Sequence, residues 1–395
     1  MNTSLLLAGA HLRNHQGKAT LIILILLGLI FLPLFILSNI DLLQHQLRER
    51  ARKTPLLLSP AKGQVETILH HLHFQWENEP PSFTPSESFE LFDDCPLAGI
   101  PMLLFYELLS QNGSDKVPLL ATAIQYLNFR ELQISKGRAP QHPGEVILGG
   151  RLAQRWQVEL GDYLMTAPHR LLDLSKAHQL ELKVVGILKS SGQPEDQIAI
   201  TLQETAWIKM GLGHGHAEEH LKGVPESLHL SLRSEQEGYR RIGPNNQEHF
   251  HFHQAVNLLP LSGMILLPSN EEQRLFALAW GQKHPGLEVL DPAKITERIL
   301  ASLHRLGDLL LVLLAVVSFS SLILMGLLLR MDILMRKKDS EVLEEQGIPT
   351  STFFLAILAE WVFYLAVATL LSLALLSLNR TGGLPLLELL ALIRD

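Results

Sequence analysis

Three long apolar runs restrict the fold of this chain more than any other feature of its sequence. They cover residues 21–37, 309–329 and 353–378, and the first two contain no charged side chain. A helix needs about 20 apolar residues to cross the hydrocarbon core of a membrane, so each run is long enough or nearly so. The sequence therefore predicts an α-helical membrane protein with about three transmembrane helices.

The first run has two interpretations. Arg13 and Lys18 precede it, as basic residues precede the apolar part of a secretory signal peptide. However, the run is longer than the apolar part of a usual signal, and residues 35–39 do not resemble a signal-peptidase site. An uncleaved membrane anchor is therefore favoured over a cleaved signal.

The charges that follow the second run predict the topology. Arg330, Arg336, Lys337 and Lys338 come directly after it, and such clusters stay on the cytoplasmic side. The N-terminus is then cytoplasmic and the long middle of the chain lies outside. The basic residues in 48–53 disagree with this topology, but long translocated domains cross largely regardless of charge. The predicted location is the bacterial inner membrane, with several spans and a large periplasmic domain.

The third predicted span contains an ionisable residue, Glu360. An ionisable side chain at that depth is costly unless it faces protein, water or the headgroups. A position at the lipid headgroups and a packing or coupling role both stay open for Glu360.

The predicted organisation of the chain has six parts. They are a cytoplasmic N-terminus with the first span (1–40), a periplasmic domain (41–305), the second span (306–330), a cytoplasmic segment (331–350), the third span (351–378) and a short apolar tail (379–395).

The middle of the chain alternates between strand-like and helix-like patterns. Residues 181–188 and 197–202 alternate as strands do and are separated by a turn-rich stretch. This mixture predicts a large α+β domain of two lobes. Helices are predicted over residues 65–73, 151–156, 203–210 and 271–283.

Composition and motifs exclude several classes of function. The formal net charge is −7 and the basic residues form no extended run, so no nucleic-acid partner is expected. The chain has no Gly-x-x-x-x-Gly-Lys-Ser/Thr loop, so ATP would be bound and hydrolysed on another subunit. No catalytic residue is predicted on this chain. Cys95 is the single cysteine, which rules out a disulfide within the chain.

Four segments, taken in chain order, resemble elements of one family. Residues 54–63 are similar to the start of its periplasmic domain, and residues 143–162 carry a Gly-Glu-Val-Ile-Leu-Gly…Leu-Ala…Gly-Asp pattern found there. Residues 183–202 resemble the Val-Val-Gly…Gly…Asp element that follows, and residues 336–360 resemble a cytoplasmic coupling segment leading into a span with a glutamate. The ordered set resembles ABC transporter permeases of the MacB/FtsX/lipoprotein-release (LolC/E-like) type, with a MacB-like periplasmic core domain.

The resemblance implies a function in transport without a channel. ATP binding on a separate ABC ATPase would move the coupling segment, and the spans would transmit that motion to the periplasmic domain for substrate export, extraction or mechanotransmission. It also implies a homodimeric or heterodimeric permease partner, surrounding membrane lipid and a periplasmic accessory or substrate-binding protein. The ATPase-coupling residues that it predicts are Arg336, Lys337, Lys338, Asp339, Leu343 and Gly347.

Two departures from the family pattern support a different hypothesis. The coupling segment usually carries apolar and basic residues before its glycine, whereas Glu341, Glu344 and Glu345 stand there in this chain. The family also has a fourth span, and this sequence supplies three, so we expect a truncated, partner-dependent or degenerate permease. The alternative function is a non-transporting membrane scaffold or regulator that retains the fold without an ATPase.

Histidines form the remaining pattern. His216-Ala-Glu-Glu-His220 fits the His-x-x-Glu-His pattern of inverted zinc peptidases, but glycines border it closely and no third ligand is identifiable. Metal-dependent hydrolysis is therefore disfavoured. A His-rich, solvated periplasmic surface is favoured over capture of Zn²⁺ or Cu²⁺ in a metal-linked transport system. The candidate metal ligands are His214, His216, His220, His249, His251 and His253, and a further group is formed by His70, His71 and His73.

Overall fold

A computed structural model describes residues 3–75, 80–167, 179–215, 241–242 and 250–382. The chain divides into two compact units, a helical unit (residues 1–47 and 300–395) and a sheet unit (residues 48–299). The described helices are α1 (Thr3–Asn14), α2 (Gln16–Arg52), α3 (Gln64–His73), α4 (Phe89–Asp94), α5 (Gln125–Phe129), α6 (Gly150–Trp156), α7 (Gln203–Lys209), α8 (Glu271–Lys283), α9 (Pro292–Met335), α10 (Lys337–Glu345) and α11 (Thr350–Gly382).

Among the described residues, three helices are long and apolar enough to cross a membrane: α2, the part of α9 from Val312, and α11. Each is longer than the apolar run that predicted it. The helix of the first run begins at Gln16 and ends at Arg52, so it includes polar turns beyond the predicted span of residues 21–37. Likewise α9 continues through residues 331–335, which the sequence assigned to the cytoplasmic segment. The reason is that charged and polar helix formers can prolong a helix where hydropathy falls.

The core of the helical unit is formed by α2 and α11. Ala19, Ile22 and Leu26 recur at helical spacing on α2 and belong to one buried cluster with aromatic and small residues of α11. The helix α9 differs, because no residue of its apolar stretch 312–330 is buried. The buried members from α11 are Phe353, Ile357, Trp361, Tyr364 and Ala368.

The sheet unit contains one large mixed sheet. Its strand order is β12-β1-β11-β2-β3-β8-β5-β7-β4, with β6 paired to β7, and β9 and β10 form a separate two-stranded ribbon. The strands are β1 (Leu56–Pro60), β2 (Ala98–Leu109), β3 (Lys116–Thr122), β4 (Ile134–Gly137), β5 (Glu145–Leu148), β6 (Tyr163–Met165), β7 (Glu181–Leu188), β8 (Ala199–Leu202), β9 (Gly213–Gly215), β10 (Phe250–Phe252), β11 (Gly263–Leu267) and β12 (Leu287–Leu290).

The expectation of two lobes is wrong for this unit. β3 pairs in parallel with β8, from Leu119 opposite Ala199 to Thr122 opposite Leu202. This pairing joins the strands on either side into one sheet, and the unit is one compact body. Turn-rich stretches separate its strands in sequence, but hydrogen bonding between distant strands is not visible in local patterns.

Several predicted elements are confirmed. β7 covers Glu181–Leu188, and α8 covers Glu271–Lys283, as expected from the pattern. The helices predicted over 65–73, 151–156 and 203–210 differ from α3, α6 and α7 by at most one residue at an end. The strand predicted from residue 197 begins at Ala199, because a short 3₁₀ turn occupies Pro194–Gln197.

Candidate coupling site

Arg336 and Glu360, which the sequence singled out for separate reasons, lie together in the helical unit. Arg336 donates from Nη1 to Glu360 Oε1 over 3.1 Å and from Nη2 to Oε2 over 2.7 Å. The Glu360 side chain is 1% exposed and that of Arg336 is 8% exposed. Two parallel charge-assisted bonds restrict both the distance and the orientation of the two groups. Glu360 therefore has a protein partner rather than a place among headgroups.

A second ion pair neutralises the same region. Lys18, near the start of α2, pairs with the buried carboxylate of Asp332 on α9. Arg336 Nε lies 3.1 Å from Asp332 Oδ1, one helical turn away. Two basic and two acidic side chains thus come together from three helices, with no net charge. Balance of this kind is what makes burial of charges tolerable. We call Lys18, Asp332, Arg336, Glu360 and His11 the coupling cluster.

His11 of α1 completes this cluster in its neutral form. Its Nδ1 lies 2.8 Å from Arg336 Nη2 and 3.2 Å from Glu360 Oε2. The guanidinium can only donate, so Nδ1 accepts and the ring proton resides on Nε2. Burial lowers the pKa of His11, and the charge of Arg336 adds to this, against the opposing effect of Glu360. The neutral ring keeps the cluster balanced.

Sequence reasoning missed three members of the coupling cluster. Lys18 was interpreted only as a basic flank of the first apolar run, and His11 and Asp332 were not singled out. One signal was available: Asp332 precedes Arg336 by four residues, which places both on one helix face. The pairing with Lys18, 314 residues away in sequence, has no local signature.

The remaining predicted coupling residues lie on or next to α10. Lys337 and Lys338 are exposed, and the structure does not describe the side chain of Asp339. Leu343 is partly buried and packs against the core cluster of the helical unit. Glu341, Glu344 and Glu345 are exposed, so the acidic stretch noted in the sequence forms the accessible surface of this helix.

Gly347 ends this helix for a clear stereochemical reason. Its φ is +79°, in the left-handed region that favours glycine. Gly347 N donates to Glu344 O over 2.9 Å, and Ile348 N donates to Leu343 O over 3.0 Å. These two bonds define a Schellman cap, which satisfies carbonyl groups that the end of the helix leaves unpaired. The glycine therefore shapes the turn from α10 toward α11.

The sheet unit contains a second buried charge cluster, which the sequence did not predict. Arg50, in the last turn of α2, donates to both carboxylate oxygens of Glu195, over 2.9 and 2.7 Å. Tyr126 Oη donates to Glu195 Oε1 over 2.5 Å, and Arg130 Nε lies 3.9 Å from the same oxygen. Arg130 also donates to Thr54 Oγ1 over 2.9 Å. We call Arg50, Tyr126, Arg130 and Glu195 the anchor cluster.

Electrostatics hold the anchor cluster in its charged form. Burial by itself raises the pKa of Glu195, but the charges of Arg50 and Arg130 and the hydrogen bonds it accepts outweigh burial and lower it. Burial raises the pKa of Tyr126 too. Burial and the nearby charge of Arg50 lower the pKa of His73 to about 3, so this ring is neutral.

Gly149, in the family-like segment 143–162, allows a close approach of the backbone to Glu195. A Cβ atom placed on Gly149 would lie 2.2 Å from the backbone oxygen of Glu195. The φ of Gly149 is −58°, so space rather than backbone conformation requires glycine here. Gly149 N donates to Ile198 O over 2.9 Å, which fixes this close approach.

The predicted metal ligands are only partly described. His216, His220 and His249 lie outside the described residues, so the His-x-x-Glu-His pattern stays a prediction. His214 is on β9, directly opposite His251 on β10. His253 is exposed and lies next to His251, with ring centroids 4.8 Å apart. Within the described ranges, no group of three His, Cys, Asp or Glu side chains is placed to hold a metal ion.

The expectation of a solvated surface is wrong for His70 and His71. They are 5% and 2% exposed, because α3 places them toward the sheet unit's interior. His71 Nδ1 lies 3.0 Å from Thr67 O, and Nε2 lies 2.9 Å from Ser262 O. Burial lowers the pKa of His71 to about 4, and this effect exceeds that of the two carbonyl groups, which favour the protonated ring.

Comparison with solved structures finds similar periplasmic and extracellular domains. No family model matches the chain, and no curated protein matches it. The periplasmic region of MacB from Actinobacillus actinomycetemcomitans is 11% identical, with a TM-score of 0.36, over 64% of this chain and 97% of that one. The extracellular domain of the noncanonic ABC-type transporter YknZ from Gram-positive bacteria is 10% identical, with a TM-score of 0.34, over 60% of this chain and 98% of that one.

Proposed function

We propose that this chain is the membrane-spanning subunit of an ABC-type transporter and works with a separate ATPase. The observation that carries the proposal is the bidentate bond between Arg336 and Glu360. Arg336 directly precedes α10, the segment that resembles an ATPase-coupling element, and Glu360 lies on α11. A coupling segment must be joined firmly to a span if motion on one side of a membrane is to reach the other.

The contacts of α10 suit transmission of force. Leu343 packs against the helical unit on one side of α10, while the three glutamates are exposed on the other. Movement of α10 displaces Arg336, and a buried, bidentate ion pair resists separation because each partner would be left as an unpaired buried charge. The displacement is therefore passed to α11 through Glu360, to α9 through Asp332 and to α2 through Lys18.

The proposal includes a location and an orientation. We infer that α2, α9 and α11 cross the bacterial inner membrane, with α10 in the cytoplasm and the sheet unit in the periplasm. The basic residues from Arg336 to Lys338 support this orientation. The exposed apolar side chains of α9, such as Phe319 at 65% and Val312 at 63%, need lipid or a second permease chain around them.

The test is a pull-down of the tagged full chain from its native membrane in mild detergent, with partner masses and ATPase activity measured on the eluate. An ABC-type ATPase should be retained. Replacement of Leu343 with Asp and of Gly347 with Val should reduce its retention, because α10 would lose its packing and its cap. Reversal of Glu341, Glu344 and Glu345 to Lys should also reduce it, because these side chains form the accessible surface.

A matched control reverses two exposed acidic residues elsewhere. Glu271→Lys with Glu272→Lys changes the charge of α8 in the sheet unit and should leave the retained ATPase unchanged. Equal loss in both sets of variants would contradict docking at α10.

A non-transporting scaffold or regulator is the second candidate. The observation in its favour is the exposed acidic surface of α10, which differs from the apolar and basic surface expected of a coupling segment. This candidate predicts that the wild-type chain purifies without any ATPase, and that the three Glu→Lys reversals change nothing in the eluate.

A further inference from the structure

The short helix α1 has one buried face and one exposed apolar face. Ser4 and Ala8, one turn apart, are buried, and α1 packs against α11. On the other side, Leu5 and Leu6 are 58% and 51% exposed. Leu6 and Arg13 are seven residues apart, about two helical turns, so they share the outward face. Adjacent large apolar side chains at the surface of a packed helix mark a site of contact with protein or membrane.

The contacts of His11 locate α1 at one end of the spans. His11 Nδ1 lies 2.8 Å from Arg336 Nη2, and Arg336 stands where α9 ends and α10 begins. In the orientation of the proposed function, on which this inference rests, α9 leaves the membrane on the cytoplasmic side at this point. The helix α1 therefore lies near the level of the lipid headgroups of the cytoplasmic leaflet.

Exposed cations flank the same contact. Arg13 follows His11 by two residues, and Lys337 and Lys338 directly follow the arginine that His11 contacts; all three cations are exposed. No Asp or Glu occurs in residues 1–40, so no acidic side chain of this segment opposes them. An apolar helix face with basic residues and no acidic ones suits the surface of a membrane that contains anionic lipid.

We propose that α1 binds the cytoplasmic surface of the bilayer, with Leu5 and Leu6 among the acyl chains and Arg13 at the phosphate of an anionic lipid. Burial of the two leucines supplies the apolar part of the binding, and Arg13 supplies the electrostatic part. Because His11 belongs to the same helix, attachment of α1 to lipid also holds this ring against Arg336. Anionic lipid thereby supports the coupling cluster from outside the protein.

The test measures the depth of nitroxide labels in the full chain, reconstituted in vesicles of phosphatidylethanolamine and phosphatidylglycerol. Cys95 is the single cysteine, so Cys95→Ser gives a background for one label at a time. Labels are attached through Leu6→Cys, Phe319→Cys or Glu345→Cys, and their relaxation by oxygen and by a water-soluble nickel chelate is compared. Oxygen concentrates among acyl chains, so it should dominate at positions 6 and 319, whereas the nickel chelate should dominate at position 345.

The contribution of lipid charge is measured with the label at position 6. One basic residue near an anionic surface changes binding about fivefold, so Arg13→Gln should raise the ratio of mobile to immobilised label by about that factor. Replacement of phosphatidylglycerol with phosphatidylcholine should change the ratio in the same direction. The matched control is Lys116→Gln, which removes an exposed cation of the sheet unit and should leave the ratio unchanged.

Three results would overturn the proposal. They are a position-6 label relaxed mainly by the nickel chelate, a label shielded from both reagents, which would assign this face to a protein partner, and an Arg13→Gln effect no larger than that of Lys116→Gln. The label at position 319 tests the membrane orientation separately. Failure at position 6 alone leaves the proposed function standing, whereas nickel-dominated relaxation at position 319 contradicts the orientation itself.

Discussion

The coupling cluster and the anchor cluster solve the problem of buried charge in different ways. The coupling cluster balances two basic against two acidic side chains, and Lys18 within it remains 35% exposed. The anchor cluster sets two arginines against one carboxylate, with Glu195 completely buried. Glu195 is thus the single negative group on which two buried cations depend.

Their hydrogen bonding differs as well. Both carboxylate oxygens of Glu195 accept bonds, while Arg130 retains two buried nitrogens without a hydrogen-bond partner. In the coupling cluster, Asp332 Oδ2 and Arg336 Nε are the buried atoms without one. Unsatisfied atoms on both an acid and a base leave alternative pairings available within this cluster. In the anchor cluster the unsatisfied atoms are nitrogens of Arg130, while Glu195 is held by Arg50 and Tyr126.

The largest expected effect is on Glu195. Glu195→Ala leaves Arg50 and Arg130 buried without their counter-ion, and breaking such a pair costs about 3–5 kcal/mol. We expect a marked fall in the midpoint of thermal unfolding. The unfolding is measured by tryptophan fluorescence of the full chain in detergent.

The control is Glu131→Ala, which removes the exposed partner of Lys53 close to the same end of α2. Exposed ion pairs contribute about 0–1 kcal/mol, so its midpoint should hardly change. Equal effects of the two variants would show that the buried Glu195 contributes no more to stability than an exposed ion pair does.

The next effect concerns the backbone beside Glu195. Gly149→Ala forces a methyl group against the Glu195 carbonyl, and we expect a loss of stability comparable with that of removing the Glu195 side chain. Gly192→Ala is the matched variant: its φ is +77° but its Cβ would meet nothing, so only the left-handed backbone is penalised, by about 1–2 kcal/mol. A larger loss at Gly192 than at Gly149 in the same unfolding assay would contradict the close approach.

A smaller effect is expected in the coupling cluster. Arg336→Met or Glu360→Met alone leaves the cluster with one uncompensated charge, whereas the double variant removes both charges and keeps Lys18 with Asp332. The double variant should therefore recover part of the stability lost in either single variant, with a coupling energy of about 1–3 kcal/mol. Thermal unfolding of all four proteins gives this value. Simple addition of the two losses would show that the pair does not act as a unit.

The smallest effect is a dependence of stability on pH in the sheet unit. The pKa of His71 is about 4 in the folded chain and 6.5 in the unfolded chain, so the unfolded chain binds more protons between these values. Stability contributed by neutral His71 is complete above pH 6.5 and is lost as pH falls toward 4. One pH unit below 6.5 corresponds to about 1.4 kcal/mol.

The measurement compares unfolding midpoints at pH 7.5 and pH 5.5. His71→Leu removes the titrating ring, so its midpoint should change less between the two conditions than that of the wild type, whatever its absolute stability. His142→Leu, at an exposed position, should keep the wild-type difference. A pH difference that persists undiminished in His71→Leu would assign the effect to other groups.

Much of the fold could be predicted from the sequence because its causes are local. Apolar runs mark the three long helices, and alternation over Glu181–Leu188 marks β7. Gly347 and its neighbours form a helix cap that depends on a few consecutive residues. The helices α2 and α9 extend beyond these apolar runs, since hydropathy reports where a helix is apolar and not where its hydrogen bonds stop.

Which charged side chains pair with each other depends on tertiary packing. Arg50 and Glu195 are 145 residues apart, and Lys18 and Asp332 are 314 apart. Each of these side chains looks like an ordinary polar residue in sequence, because its partner is supplied by another element. Local sequence accounts for the long apolar helices, the turn glycines and the acidic surface of α10. The single sheet and the two charge clusters follow from packing, since long-range pairing depends on which surfaces are buried together.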